Sequence, residues 1–117
     1  MNTREYYDSL TDEDICDCIY CRNYIKRIRS SYPLLSSYLD SLCIDIEKPY
    51  ETVPLEPYEG HIVYAGVMYM VMGDPKEFEK TTVEGVDIHI TDSYPYTDMK
   101  EKHYVIELDE IKLAWDE

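Results

Sequence analysis

Glycine is scarce: four stand in 117 residues, no two of them adjacent. No Gly-rich loop is therefore present to cradle a phosphate. G-x-S-x-G is missing, and with it the nucleophile elbow of hydrolases. D-x-D-x-D-G is missing, and with it a calcium loop. Basic residues are few, eleven Lys and Arg against twenty-five Asp and Glu, for a formal charge of −14. That balance disfavours direct binding to nucleic acid or to an anionic membrane. Long apolar runs are also lacking. The longest, Ile62–Met72, is too short to cross a bilayer. No apolar run follows a basic N-terminus, so no signal peptide is read. The expectation is a soluble cytoplasmic chain with reduced cysteines.

What the sequence does hold is acid, tyrosine and periodic apolar residues. The charge is spread, net −6 over residues 1–60 and −8 over 61–117, so it belongs to a folded surface rather than a tail. Thirteen tyrosines and an apolar fraction of 44% argue against disorder. So much like charge opposes compaction, and solubility alone needs far less of it. A basic partner supplies a reason.

Thr11-Asp12-Glu13-Asp14 reads as a helix start, with Ile15, Cys18, Ile19, Cys21, Ile25 and Ile28 following at helical spacing. Arg22, Lys26, Arg27 and Arg29 form the one basic cluster, three of them suiting the negative end of that helix. Tyr32-Pro33 breaks the chain and opens a second helix with Leu35, Leu39, Leu42 and Cys43 on its apolar stripe. The two are expected to form an antiparallel hairpin over about 11–43.

Pro49, Pro54 and Pro57 mark an extended connection with an edge strand at Glu51–Leu55. His61–Met72 is apolar on both alternating faces, as in a central strand covered on both sides, one of them by a partner in one reading. Val83–Thr91 alternates, with Val86, Ile88 and Ile90 inward and Asp87, His89 and Thr91 outward. A turn around Tyr94-Pro95-Tyr96 leads to a last strand, His103–Leu113, with Tyr104, Ile106 and Leu108 inward. The expected fold is α+β, a single domain over 1–117. An N-terminal helical hairpin packs on a three- or four-stranded antiparallel sheet spanning about 50–115.

Cys16, Cys18 and Cys21 form C-x-C-x2-C, and Cys43 is a candidate fourth ligand for a structural zinc ion. On a continuous helix Cys18 and Cys21 share a face while Cys16 points elsewhere. That favours Cys18, Cys21 and Cys43 as small apolar residues in the hairpin interface, and no cofactor. His61, His89 and His103 read as ordinary strand or turn histidines, with no nucleophile marked beside any of them. Carboxylate pairs such as Asp87 with Asp92, or Glu107 with Asp109, lack a cation-binding loop around them. No catalytic residue is identified and the chain is read as a non-enzyme.

The acidic surface carries the functional reading. Asp87, Glu107 and Asp109 on neighbouring strands form a negative grid, extended along its edges by Asp92, Asp98, Glu101 and Glu110. Such a grid imitates the phosphate charge that basic grooves receive. Tyrosine, planar with a polar tip, suits an interface.

The segment Cys18-Ile19-Tyr20-Cys21-Arg22-Asn23-Tyr24, followed by Leu42-Cys43-Ile44-Asp45-Ile46-Glu47-Lys48-Pro49, resembles small proteins of Gram-positive bacteria and their mobile elements. In its small size, acidity and lack of a catalytic motif the chain is similar in kind to anti-CRISPR proteins that act on type II Cas9. That resemblance implies an inhibitor without turnover, working in the cytoplasm of a bacterial host. It implies occupation of a basic groove on Cas9 or its guide complex, where guide RNA or target DNA otherwise lies. The alternative is a structural or adaptor domain. It would be a homodimer through the second face of Ile62–Met72, or a zinc-stabilised module.

Overall fold

A computed structural model describes residues 1–116. The chain begins with a helix, α1 (Thr3–Ser9), that has little apolar periodicity and is set instead by its cap. The Asn2 side chain accepts from the Glu5 N–H at 2.8 Å, and the Glu5 carboxylate accepts from the Asn2 N–H at 3.0 Å. This reciprocal box satisfies two donors that a helix start leaves free.

The helix start expected at Thr11 is a single 3-10 turn, Asp12–Asp14. The Asp14 carboxylate accepts from the Thr11 N–H at 2.8 Å and the Thr11 hydroxyl at 3.2 Å, closing the turn on itself. The chain is then extended at Ile15, and Cys18 supplies a fresh cap, its sulfur accepting from the Cys21 N–H at 3.4 Å. Helix α2 (Ile19–Ser31) follows, then α3 (Pro33–Ser41). Tyr32 alone joins them, capping the end of one and the start of the other. The expected pair of successive helices is present and joined at one residue, but over 19–41 rather than about 11–43.

Five strands form one antiparallel sheet in the order β1-β2-β5-β4-β3: β1 (Glu51–Pro54), β2 (His61–Met72), β3 (Thr81–Val83), β4 (Val86–Thr91) and β5 (His103–Ala114). The α+β class stands, with five strands in place of three or four. The extra strand arises because Val83–Thr91 is interrupted. Glu84 and Gly85 both take positive φ, 53° and 78°, giving a two-residue turn of the type that matches strand twist. Glu59 and Gly60, at 49° and 77°, repeat the device before β2.

The helices cover one sheet face. Into that core go Tyr24, Ile28, Leu35 and Leu39 from the helices, with Ile62, Tyr64, Val67, Tyr69, Val86, Ile88, Ile106, Leu108, Ile111 and Leu113 from the sheet. Alternation reverses phase at one level of the two long strands. Buried positions run Ile62, Tyr64, then Val67, Tyr69 on β2, and Ile106, Leu108, then Ile111, Leu113 on β5. Tyr64 still pairs with Ile111 and Gly66 with Asp109, so both strands shift together at Ala65 and Glu110, the latter at φ 53°. The register survives and the faces exchange. This shift, together with a covered second face, makes β2 read as apolar throughout.

Half of that second face is closed by the chain itself. Met68, Met70, Met72 and Val105 form a smaller cluster under Tyr6, Tyr50, Tyr94 and Met99. The Tyr50 hydroxyl pins the crossing segment, 92–102, at the carbonyls of Pro95 and Tyr96, 3.0 and 2.9 Å away. No second chain is needed over the methionines. Past β1, the free edge of β2 is taken by α1. Tyr7 donates to the Met70 carbonyl at 2.7 Å, and the Thr3 hydroxyl accepts from the Met72 N–H at 3.1 Å. An exposed edge that invites pairing is thereby blunted. No helix among the described residues is long and apolar enough to cross a membrane.

The Glu84 turn also serves the helices. Its carboxylate oxygen accepts from the N–H groups of Leu34 and Leu35, 2.9 and 3.0 Å away, capping α3 where Tyr32 offers no side-chain cap. Glu84→Ala is expected to cost about 1 kcal/mol in denaturant unfolding, the usual worth of an N-cap. A loss under ~0.5 kcal/mol would show the contact idle, since surface changes without such a role fall within about that range.

Candidate functional site

The other half of the second sheet face lies open, and the sequence places its acids there. On β4 the side chains of Asp87 and His89 point outward; on β5 those of Glu107 and Asp109 do so. Pairing sets His89 opposite Glu107, Met68 on its other side, and Gly66 opposite Asp109. His89 Nε2 lies 3.1 Å and 3.2 Å from the two Asp109 oxygens and 3.7 Å from Glu107 Oε1. The Glu107 carboxylate rests over Gly66, where any Cβ would collide with it. Only glycine leaves that space without displacing the carboxylate.

Asp87 accepts from the Thr82 hydroxyl at 2.7 Å. It borders two adjoining shallow depressions. One, of about 460 Å³, is lined by Lys80, Thr82, His89 and Asp109 among others; the second, of about 490 Å³, by Ala65, Gly85, Asp109 and Glu110. Glu110 owes its place at the rim to the positive φ of the phase shift. Of the residues named from sequence, Asp87, Glu107, Asp109 and Glu110 thus come together. Asp92, Asp98 and Glu101 lie instead on or beside the segment that crosses the methionines. Asp92 and Asp98 are exposed, and Glu101 pairs with the N-terminal amino group at 2.9 Å. Gly66, Thr82 and Lys80 were not singled out from sequence, and His89 was read as an ordinary strand histidine. Its outward alternation with Asp87 was the available signal.

His89 is held above its ordinary value. Partial burial pushes its pKa down, but the Ile90 carbonyl, the hydrogen bond to Asp109 and the charges of Asp109 and Glu107 outweigh that push. The linked stability has a definite sign. It is fully present below about 6.5, the unfolded value, and is lost as pH rises through the higher folded value. Asp109→Asn should lower the His89 pKa, as followed by NMR titration of the imidazole ring. An unchanged value would contradict the pairing.

Three cationic side chains near the helices are paired locally. Arg27 pairs with Asp116 at 2.7 Å, Arg29 with Asp45 at 3.1 Å and with Glu47, and Lys48 with Asp45 at 4.0 Å. Arg29 therefore has carboxylate partners beyond the helix end that the sequence suggested for it.

The cysteines depart from expectation. Because α2 starts only at Ile19, Cys16 is not on the helix. The sulfurs of Cys16, Cys18 and Cys21 all lie within 4.8 Å of one another. Cys43 is elsewhere, just past α3 at φ 64°, its sulfur accepting from the Arg4 guanidinium at 3.4 Å. A four-cysteine set is thus corrected to three. The interface reading of Cys18, Cys21 and Cys43 is corrected too: Cys21 alone is buried, Cys43 is partly buried, and Cys18, like Cys16, is exposed. Burial pushes the Cys21 thiol up to about 12. Burial also raises Cys18, but the Cys21 N–H and the neighbouring thiols overcome it and leave Cys18 below its ordinary value.

Comparison with protein-family models, with curated proteins and with solved structures gave no match.

Proposed function

We propose that this chain is a non-enzymatic inhibitor that docks its open, acidic sheet face on a basic, nucleic-acid-binding protein. The observation that carries this reading is the convergence of Asp87, Glu107, Asp109 and Glu110 on one open sheet face. Alternate residues on a strand stand roughly 6.5–7 Å apart and neighbouring strands about 4.8 Å apart. Carboxylates on that lattice present a dense, ordered negative charge of the kind a phosphate-binding groove accepts. A sheet face is rigid, so little side-chain or loop ordering opposes docking. Thr82 and His89 add neutral or switchable hydrogen-bonding groups within the same patch, suited to arginine as well as lysine.

The resemblance to anti-CRISPR proteins points to Cas9, whose cationic channels hold guide RNA and target DNA, as the partner. The test is DNA cleavage by Cas9 with the protein added before the guide RNA or after the guide complex has formed, at low and high salt. Inhibition that depends on order and weakens with salt is expected. Cleavage untouched in either order with Cas9 from Gram-positive hosts would remove Cas9 as the partner. Salt-insensitive inhibition would remove charge mimicry as the mechanism.

A further inference from the structure

We infer that Cys16, Cys18 and Cys21 form a three-thiolate site for one zinc ion, with its fourth coordination position open to solvent. The spacing C-x-C-x2-C assembles it from two local geometries. Cys16 stands two residues before Cys18 in the short non-helical stretch between the 3-10 turn and α2, and its sulfur approaches that of Cys18 across Asp17. Cys18 then caps α2, and a cap lies beside the third helical residue, which is Cys21. One ligand atom from each of the three lies within 4.8 Å of the others. Tetrahedral zinc–thiolate bonds of ~2.3 Å require sulfurs ~3.8 Å apart, so small rotamer changes suffice.

Two further features fit an ion rather than a packing role. Cys16 and Cys18 are exposed, so the cluster faces solvent and has an entry path. The N-terminal end of α2 favours negative charge, which thiolates supply. Cys21 is anchored from behind, its sulfur 3.4 Å from the Thr52 hydroxyl on β1. Among the described residues the cluster contains no histidine or carboxylate besides the three cysteines. Water or an incoming thiol therefore completes the shell, as in zinc sites that keep one position free. A bound ion would join the extended segment before α2 to the edge of the sheet.

The experiment uses the full chain, kept reduced, with Co²⁺ as a spectroscopic substitute and then Zn²⁺. Expected are sulfur-to-cobalt charge-transfer absorption saturating at one ion per chain, its displacement by Zn²⁺, and zinc protection of Cys16 and Cys18 from alkylation. Cys43→Ser should leave binding unchanged, and Cys16→Ser should weaken it at least ~10-fold, since even partners of zinc ligands are worth that much and a ligand itself no less. Circular dichroism in the presence of chelator checks that each variant folds, and the protection assay on the unaltered chain needs no variant. Cobalt binding no tighter than to Cys16→Ser/Cys18→Ser/Cys21→Ser, loss of binding in Cys43→Ser, or one ion shared by two chains would each overturn the site.

Discussion

Replacing Asp87, Glu107 and Asp109 together by lysine is expected to weaken binding to the basic partner by ~100-fold or more while the domain stays folded. Each reversal turns an attraction into a repulsion, and charge pairs at interfaces are each worth on the order of 1 kcal/mol or more. The three side chains are exposed or half-buried on the open face, outside the core. Repulsion within the native chain is also relieved, because the formal charge moves from −14 toward neutrality. Titration calorimetry or a surface-binding assay reads the loss. A control reversal of Asp92 and Asp98, which lie away from the depressions, should cost much less. Equal losses from both sets would mean that net charge, and not the arranged face, drives binding.

The second large effect is on stability. Three oxygens form a chain through the core: the Tyr69 hydroxyl lies 2.6 Å from the Ile46 carbonyl and 2.6 Å from the Tyr24 hydroxyl. With its one proton given to Ile46, Tyr69 accepts from Tyr24. Tyr69→Phe thus leaves a buried carbonyl and a buried hydroxyl without this partner, at about 1–3 kcal/mol each. A loss of about 3 kcal/mol is expected. Tyr24→Phe removes only a donor to an oxygen that still donates, and should cost about 1 kcal/mol. Denaturant unfolding of the two variants checks the order. An equal or reversed order would contradict this arrangement of donors and acceptors. Burial raises the pKa of both phenols, Tyr24 first by desolvation and Tyr69 well above the usual value, so both stay neutral across the working range.

These tyrosines also show where composition misleads. Thirteen of them beside so much acid suggested an interface, yet Tyr7, Tyr24, Tyr64 and Tyr69 are buried and tie helices or loop to sheet through their hydroxyls. Tyr58 and Tyr96 are the strongly exposed ones.

The strands that carry the candidate site were the legible part of the sequence. Alternation in Val86–Thr91, and of Tyr104, Ile106 and Leu108 about Glu107, put Asp87, His89 and Glu107 on one face, because residues two apart in a strand share a side. What stayed hidden depended on backbone geometry or on distant partners. Glu-Gly is a weaker turn signal than Asn-Gly, so the Glu84-Gly85 turn and the strand before it were missed. The shift from odd to even apolar positions between Val83 and Val86 was the clue. Asn2 and Glu5 carry a capping box that announces α1 without any apolar stripe. The joint phase shift at Ala65 and Glu110 needs both strands to be seen at once. The gathering of Cys16 with Cys18 and Cys21 followed from a helix start seven residues later than the acidic run implied, capped by Cys18 rather than Thr11.

The central claim is that the open acidic face stands in for nucleic acid, and competition tests it most directly. Labelled guide RNA or duplex DNA bound to the basic partner is titrated with this protein at constant salt. Mutually exclusive binding, with the nucleic acid released in proportion to the protein bound and no release by the Asp87, Glu107 and Asp109 lysine variant, is the predicted result. A stable ternary complex holding partner, nucleic acid and this protein together would contradict it.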